Sequence, residues 1–359
     1  MNFRSILSGR RRDPLAFLMR GLLWLLKLPY GIVIRCRNLA YDQAWYPIDR
    51  SDAVVISIGN LTTGGTGKTP LVCYTARLLR DWDYRVALIS RGYGSVAGAD
   101  NDEAMELAAT LPDVPHLQHP DRVASAKIAV EELESQVILM DDGFQHRRLH
   151  RDLDILVIDA TCPFGFGHLL PRGLLREPVA SAGRAAAAVL TRSDAVDQTT
   201  RQAIRDAVVR HAPNIIWSET VHRPIGLLQW PDTLAPLQRI AGQSVAIVCG
   251  IGNPDAFAKT VQAAGATVVR RIELADHDAY DQNTIATIRQ QIAELGNTIS
   301  HIVCTHKDLV KIQTDSIAGK PIVAIRIEIE FITGKESYDA MVRKVLSSCL
   351  LGSSPSPAT

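Results

Sequence analysis

The stretch Ile56-Ser57-Ile58-Gly59-Asn60-Leu61-Thr62-Thr63-Gly64-Gly65-Thr66-Gly67-Lys68-Thr69-Pro70 decides how the rest of the chain is read. Before it, Ala53 to Ile58 is an apolar, β-branched run bounded by Asp52 and Gly59, which predicts a buried strand. After it, Leu71 to Leu79 carries apolar residues at helical spacing. Strand, Gly-rich loop and a helix opened by Gly67-Lys68-Thr69 are the context of a phosphate-binding loop. Backbone N–H groups converge on the anion there, and the helix N-terminus adds positive potential. On this reading Thr62, Thr63, Gly64, Gly65, Thr66, Gly67, Lys68 and Thr69 cradle the phosphates of a nucleoside triphosphate. Lys68 reaches the β- and γ-phosphates, and the Thr69 hydroxyl holds Mg²⁺. Thr62 stands where the strict pattern has Gly.

At 359 residues the chain exceeds one compact core and suggests two domains. A formal net charge of +1 implies no global attraction to nucleic acid. The charge is uneven, however. Arg4, Arg10, Arg11, Arg12, Arg20, Lys27, Arg35 and Arg37 face the single acid Asp13 within residues 1–40. Between them, Pro14 to Ile34 is apolar but broken by Arg20, Lys27 and Pro29. A spanning helix wants about 20 mostly uncharged residues. The segment instead reads as an interfacial element whose leucines and Trp24 enter the acyl boundary while its arginines meet anionic lipids. The six cysteines are isolated, with no CxxC pair, and read as reduced core thiols of a cytoplasmic protein, not as a disulfide frame or zinc site.

From Ser51 to about Leu228 strands and helices alternate, with strands at 86–89, 137–140, 155–158 and 186–190 and helices at 103–110 and 122–134. Polar residues gather at the strand C-terminal ends, where open α/β sheets bind ligands. The fold class is therefore α/β: a P-loop NTPase-type, doubly wound, mostly parallel sheet with a second, smaller α/β domain. The predicted divisions are a membrane-associating segment 1–40, a P-loop core 41–228, a C-terminal domain 229–350 and a disordered tail 351–359. Trp230 to Gln243 reads as loop. Gly250-Ile251-Gly252 is not a dinucleotide fingerprint and predicts no second nucleotide site.

A P-loop needs a carboxylate at a neighbouring strand end to complete the Mg²⁺ shell. Asp141 and Asp142 follow the apolar run Val137 to Met140 and fit that place, and a cation relieves the repulsion between them. Asp159, after the strand at 155–158, is the competitor for that place and reads as a structural acid or one behind the metal ligands. Phosphoryl transfer also needs a group to take the acceptor's proton, for which Asp102-Glu103, Asp276-His277 and Gln145-His146 are candidates. Arg91, Arg147, Arg148, Arg151, Arg172 and Arg176 could clamp phosphates.

Further motifs occur in one order: Ser90-Arg91-Gly92-Tyr93-Gly94, Asp141-Asp142-Gly143-Phe144-Gln145-His146 and Pro171-Arg172-Gly173-Leu174-Leu175-Arg176-Glu177-Pro178. Gly250-Ile251-Gly252-Asn253-Pro254, Asp276-His277-Asp278-Ala279-Tyr280 and Thr305-His306-Lys307-Asp308 follow. With the phosphate loop, this set resembles the tetraacyldisaccharide 4′-kinase family, whose loop also lacks the first glycine. The resemblance implies transfer of the ATP γ-phosphate to the 4′-hydroxyl of a lipid-linked glucosamine disaccharide 1-phosphate in lipid A biosynthesis. It implies Asp102 as catalytic base, in Asn101-Asp102-Glu103-Ala104 where the family has Gly-Asp-Glu-Pro, with His277 tuning it and Lys68 on the phosphates. Asp141, Asp142 and Thr69 are then metal ligands, and Arg91, Gln145, His146, Arg176 and Glu177 substrate contacts. His306 stands where the family has Glu. ATP and Mg²⁺ are the implied cofactors, and the cytoplasmic face of the inner membrane is the implied location, with no nucleic acid and no obligate protein partner. The alternative is a P-loop GTPase or ATPase switch, or a metallochaperone. It rests on Thr191-Arg192-Ser193-Asp194, a departure from the guanine-reading [NT]KxD pattern.

Overall fold

In a computed structural model of the chain, the described residues are 3–92, 102–275 and 278–351. The helices are α1 (Phe3–Leu7), α2 (Pro14–Asp42), α3 (Lys68–Asp81), α4 (Asp102–Thr110), α5 (Arg122–Glu131), α6 (Gln198–Val209), α7 (Pro254–Ala263), α8 (Gln282–Leu295), α9 (His306–Ile312) and α10 (Lys335–Leu351). The strands of the first half are β1 (Val54–Gly59), β2 (Val86–Ser90), β3 (His116–Gln118), β4 (Val137–Asp141), β5 (Leu153–Asp159), β6 (Ala187–Thr191) and β7 (Ile216–Gln229). Those of the second half are β8 (Thr233–Ala235), β9 (Ser244–Cys249), β10 (Thr267–Glu273), β11 (His301–Thr305), β12 (Ser316–Ile317) and β13 (Lys320–Thr333). Two compact units result. One comprises Met1–Arg91, Val114–Val221 and Glu330–Thr359, the other Gly92–Asp113 and His222–Ile329.

In the first unit the strand order is β7-β6-β5-β1-β4-β2-β3, and its strands pair in parallel. Strands β1, β4 and β5 are buried at every position, as a parallel sheet covered on both faces requires. Ile58 lies in register with Asp141 on one side and Ile155 on the other, so the phosphate loop leaves the sheet beside the acid pair. Gly59 is where that loop meets the next: a Cβ there would stand 2.7 Å from the backbone nitrogen of Phe144. The expected doubly wound P-loop fold is thus present.

Helix α2 is capped by Asp13, whose carboxylate accepts from the Ala16 N–H at 3.1 Å, and Pro14 occupies its first turn. By length and composition it is the one candidate membrane span among the described residues. Phe17, Leu18, Leu22, Ile32 and Val33 are exposed along it, Phe17 by 75%. Ala16, Gly31 and Ala40 are buried. All six cysteines are free, but only Cys73, Cys249 and Cys304 are buried, and Cys36 on α2 is exposed.

The second unit orders its sheet β10-β9-β11-β13-β7, with β8 antiparallel on β7 and β12 antiparallel on β13. The stretch from Trp230 to Gln243, read as loop, therefore contains a short strand, because Thr233–Ala235 finds an edge of β7 to pair with. Two apolar layers cover the sheet, one built on Ile288, Ile292, Ile302 and Ile322, the other on Val245, Phe257, Val261 and Val323. Thr305 and Asp308 close a reciprocal capping box at the start of α9.

Helix α10 returns to the first unit. Its Tyr338 is fully buried, with its hydroxyl 2.7 Å from that of Thr75 on α3 and its ring against Tyr74 and Phe331. Removing the ring loses its packing and leaves a cavity. Tyr338→Ala is expected to destabilise the protein by about 3–5 kcal/mol, and Tyr338→Phe by about 1 kcal/mol. Urea denaturation followed by circular dichroism measures both.

Candidate active site

The loop after β1 closes by local rules. Gly64 and Gly67 adopt φ of +103° and +77°, backbone that residues with a Cβ rarely enter. Gly67 caps α3 without a side-chain acceptor, so the first-turn N–H groups of α3 face the loop and suit an anion. Asn60 Nδ2 donates to the Thr62 carbonyl at 2.8 Å, and the Thr63 N–H donates to the Leu174 carbonyl at 2.8 Å. Thr62 and Leu175 form an antiparallel bridge. The bridge ties the Thr63 N–H to the Leu174 carbonyl and the Leu61 carbonyl to the Arg176 N–H, and the loop then arcs from Gly64 to Thr69.

Charged groups converge at the mouth of this arc. Lys68 Nζ lies 3.4 Å from Asp142 Oδ1 and 3.4 Å from Asn60 Oδ1. Arg176 Nη1 lies 2.6 Å from Asp142 Oδ2 and donates to Gln145 Oε1 at 3.1 Å. Gln145 Nε2 in turn donates to the Asn60 carbonyl at 2.9 Å. Burial alone would raise the Asp142 pKa, but Lys68 and Arg176 outweigh it and hold the carboxyl down to about 2. Asp142 also has φ of +50°, an uncommon conformation for a residue with a side chain. Asp141 is buried in the neighbouring position.

Several residues that brace this cluster carry no motif signal. Arg122, buried in the first turn of α5, donates to the carbonyls of Asp141 and Asp142, each at 3.2 Å. The only local hint is Asp121, whose side chain caps α5 and so marks where that helix starts. Helix α2 is tied in as well: the Tyr30 hydroxyl donates to the Arg176 carbonyl at 2.9 Å, and Arg37 donates to the Gln145 carbonyl. Glu177 has no exposed surface. Its carboxylate accepts from Arg184 and Asn38, each at 2.9 Å, so it secures the segment that carries Arg176.

The sequence-predicted residues thus divide. Lys68, Asp142, Gln145 and Arg176 form one connected cluster, with Asp141 beside it. Arg91 is exposed just past β2. His146 is partly buried, and burial with nearby Arg122 and Arg151 pushes its pKa down to about 4. Asp159 pairs with Arg192 and accepts from the Thr161 N–H, as a structural acid would. The side chain of Asp102, all of His277 and the tail 352–359 lie outside the described residues.

A glycine-rich loop between a buried parallel strand and a helix, with a lysine and an acid pair at its mouth, defines a P-loop phosphate-handling protein. Residues 19–347 match the LpxK family, tetraacyldisaccharide-1-P 4′-kinase. The tetraacyldisaccharide 4′-kinase of Anaeromyxobacter dehalogenans strain 2CP-C is 35% identical over 349 residues, covering 92% of each chain. That of Desulfatibacillum aliphaticivorans is 33% identical over 354 residues, covering 90% of this chain and 92% of its own. The crystal structure of LpxK from Aquifex aeolicus in complex with ATP superposes with a TM-score of 0.75 at 28% identity, over 91% of this chain and 99% of that one. The chain belongs to the tetraacyldisaccharide 4′-kinase family. That membership sets aside the switch and metallochaperone alternative.

The site's electrostatics carry a pH signature. The folded His146 refuses a proton that the unfolded histidine accepts, so its contribution is complete above about 6.5 and is lost as pH falls toward about 4. His306, buried in the second unit, is pushed down to about 4 and acts in the same sense. His146→Asn is expected to flatten the fall in urea midpoint between pH 7 and pH 5 in part, leaving the shares of His306, His168 and His301, which burial also pushes down.

Proposed function

We infer that the chain is an ATP-dependent kinase that transfers the γ-phosphate to the 4′-hydroxyl of a tetraacyldisaccharide 1-phosphate, a step of lipid A biosynthesis. The observation that carries this is the family match from residue 19 to 347 in a chain whose phosphate loop, Lys68 and acid pair are assembled. In that role the arc Gly64 to Thr69 receives the ATP phosphates, and Lys68 turns from Asp142 to the β- and γ-phosphates. Arg176, already on Asp142 and Gln145, keeps the acid oriented after Lys68 leaves.

Thr69, Asp141 and Asp142 fit Mg²⁺, because all offer hard oxygen donors. Among the described residues no group of three or more His, Cys, Asp or Glu could hold a metal alone. Mg²⁺ in phosphoryl-transfer sites is held by one or two carboxylates together with substrate phosphates. Mg²⁺, when bound, supplies neutralisation of the charge that builds on the transferring phosphoryl group. Asp102 takes the proton of the 4′-hydroxyl and His277 tunes its basicity. Arg91, Gln145, His146 and Arg176 are assigned to the substrate's polar groups, and Glu177 supports Arg176 from below. The exposed apolar side of α2, with its basic flanks, meets the cytoplasmic face of the inner membrane and its anionic lipids.

Transfer of radiolabelled γ-phosphate to the disaccharide 1-phosphate lipid in mixed micelles is the direct test. Lys68→Ala is expected to abolish transfer in folded protein, and Asp102→Asn to lower kcat by about 10²–10⁴. Transfer by Asp102→Asn at the wild-type rate would move the base elsewhere. For the surface, Phe17→Asp with Leu22→Asp is expected to weaken cosedimentation with anionic vesicles, while bulk ATP binding stays unchanged.

A further inference from the structure

The segment Thr191-Arg192-Ser193-Asp194 has no part in the chemistry above, yet the fold sets it against the back of the phosphate loop. Strands β5 and β6 pair with Asp159 opposite Thr191. Thr191 is 0% exposed, and its hydroxyl donates to the Thr66 carbonyl at 2.7 Å, the Ile158 carbonyl standing farther off at 3.3 Å. Arg192 follows with φ of +52°. Its guanidinium donates to the Gly65 carbonyl at 3.2 Å and pairs with the Asp159 carboxylate. Asp159 is fixed from its other side, since Oδ1 accepts from the N–H of Thr161 at 2.9 Å and its hydroxyl at 2.7 Å.

These two carbonyls matter because a peptide unit is planar and its C=O and N–H point opposite ways. The Gly65 carbonyl shares a unit with the Thr66 N–H, and the Thr66 carbonyl shares one with the Gly67 N–H. Holding both carbonyls toward β6 therefore aims both N–H groups away from it, to the side of the loop that faces an anion. A loop rich in glycine has little steric bias of its own. If either unit flips, an acceptor oxygen replaces a donor in the cradle. We propose that Thr191 and Arg192 are positioning residues that hold the phosphate loop in its anion-accepting form before ATP arrives. This rests on the reading of the loop as the ATP site. It gives the departed [NT]KxD-like segment a role in nucleotide affinity in place of base reading.

Thr191 makes the proposal separable from direct contact, because a fully buried side chain behind the loop cannot touch the nucleotide. Thr191→Val removes the donor at nearly constant shape, and Thr191→Ser keeps it. Calorimetric binding of Mg·ATP and steady-state KM values for ATP and for the lipid are measured with the thermal midpoint. Loss of the bond is expected to weaken ATP binding about three- to tenfold, the scale of one hydrogen bond. The lipid KM is expected to stay constant and Thr191→Ser to bind as wild type. Arg192→Gln is expected to weaken ATP in the same selective way, with Arg192→Lys recovering part, and it carries the test if Thr191→Val fails to fold. Folded Thr191→Val and Arg192→Gln proteins that bind ATP within about twofold of wild type would overturn the proposal, as would equal losses for ATP and lipid. Absence of ATP binding by the wild type itself would instead strike the ATP reading, and this inference with it.

Discussion

The chemistry of the first unit hangs on one register, Ile58 of β1 opposite Asp141 of β4. Parallel strands end at the same edge of a sheet, so this pairing alone brings the phosphate loop beside the acid pair, where Lys68 then meets Asp142. A shift of one residue would turn β4's side chains to the other face and carry Asp141 away from the loop. The register is secured from below. Strands β1 and β4 are buried along their whole length, and the loops above them touch so closely at Gly59 and Phe144 that no Cβ fits.

Above that edge the site is held by buried polar pairs, which stabilise only if every partner is in place. Arg122 grips the carbonyls of Asp141 and Asp142, while Lys68 and Arg176 share the Asp142 carboxylate. Glu177 with Arg184 and Asn38 secures the segment carrying Arg176. Three of these ties, through Tyr30, Arg37 and Asn38, come from α2. The helix that exposes an apolar face is thereby fastened to the residues that hold the acid pair.

What was legible in the sequence follows the range of each interaction. Strand β1, the loop and α3 are local events, written in β-branching, glycine and helical spacing, and Asp141-Asp142 could be placed because a strand end is also local. Lys68 was read toward the phosphates and Asp142 toward the metal, and their ion pair with each other was not legible. Arg122, Arg184, Tyr30 and Asn38 were not legible either, because each meets its partner through the fold, and Asp121 marks only where the helix of Arg122 begins. The same holds for the Thr63 N–H, which Leu174 takes out of the phosphate cradle. Neither helix α10 nor its return to α3 through Tyr338 and Thr75 was read from the sequence. Asp102 and His277 entered through resemblance alone.

The arrangement around Asp142 keeps a site crowded with cations in charge balance. With its pKa held near 2, Asp142 is ionised throughout the working range and balances Lys68. In the proposed reaction an arriving triphosphate exchanges one anionic partner of Lys68 for another, so the lysine keeps a counter-charge in a partly buried site. Arg176 does not need to move, because it already serves Asp142 and Gln145 together. Under that proposal the exchange costs less than desolvating a lone cation and frees Asp142 Oδ1, while Oδ2 stays with Arg176. In the proposed reaction that freed oxygen, anionic and next to Asp141 in the chain, is the one offered to the divalent cation.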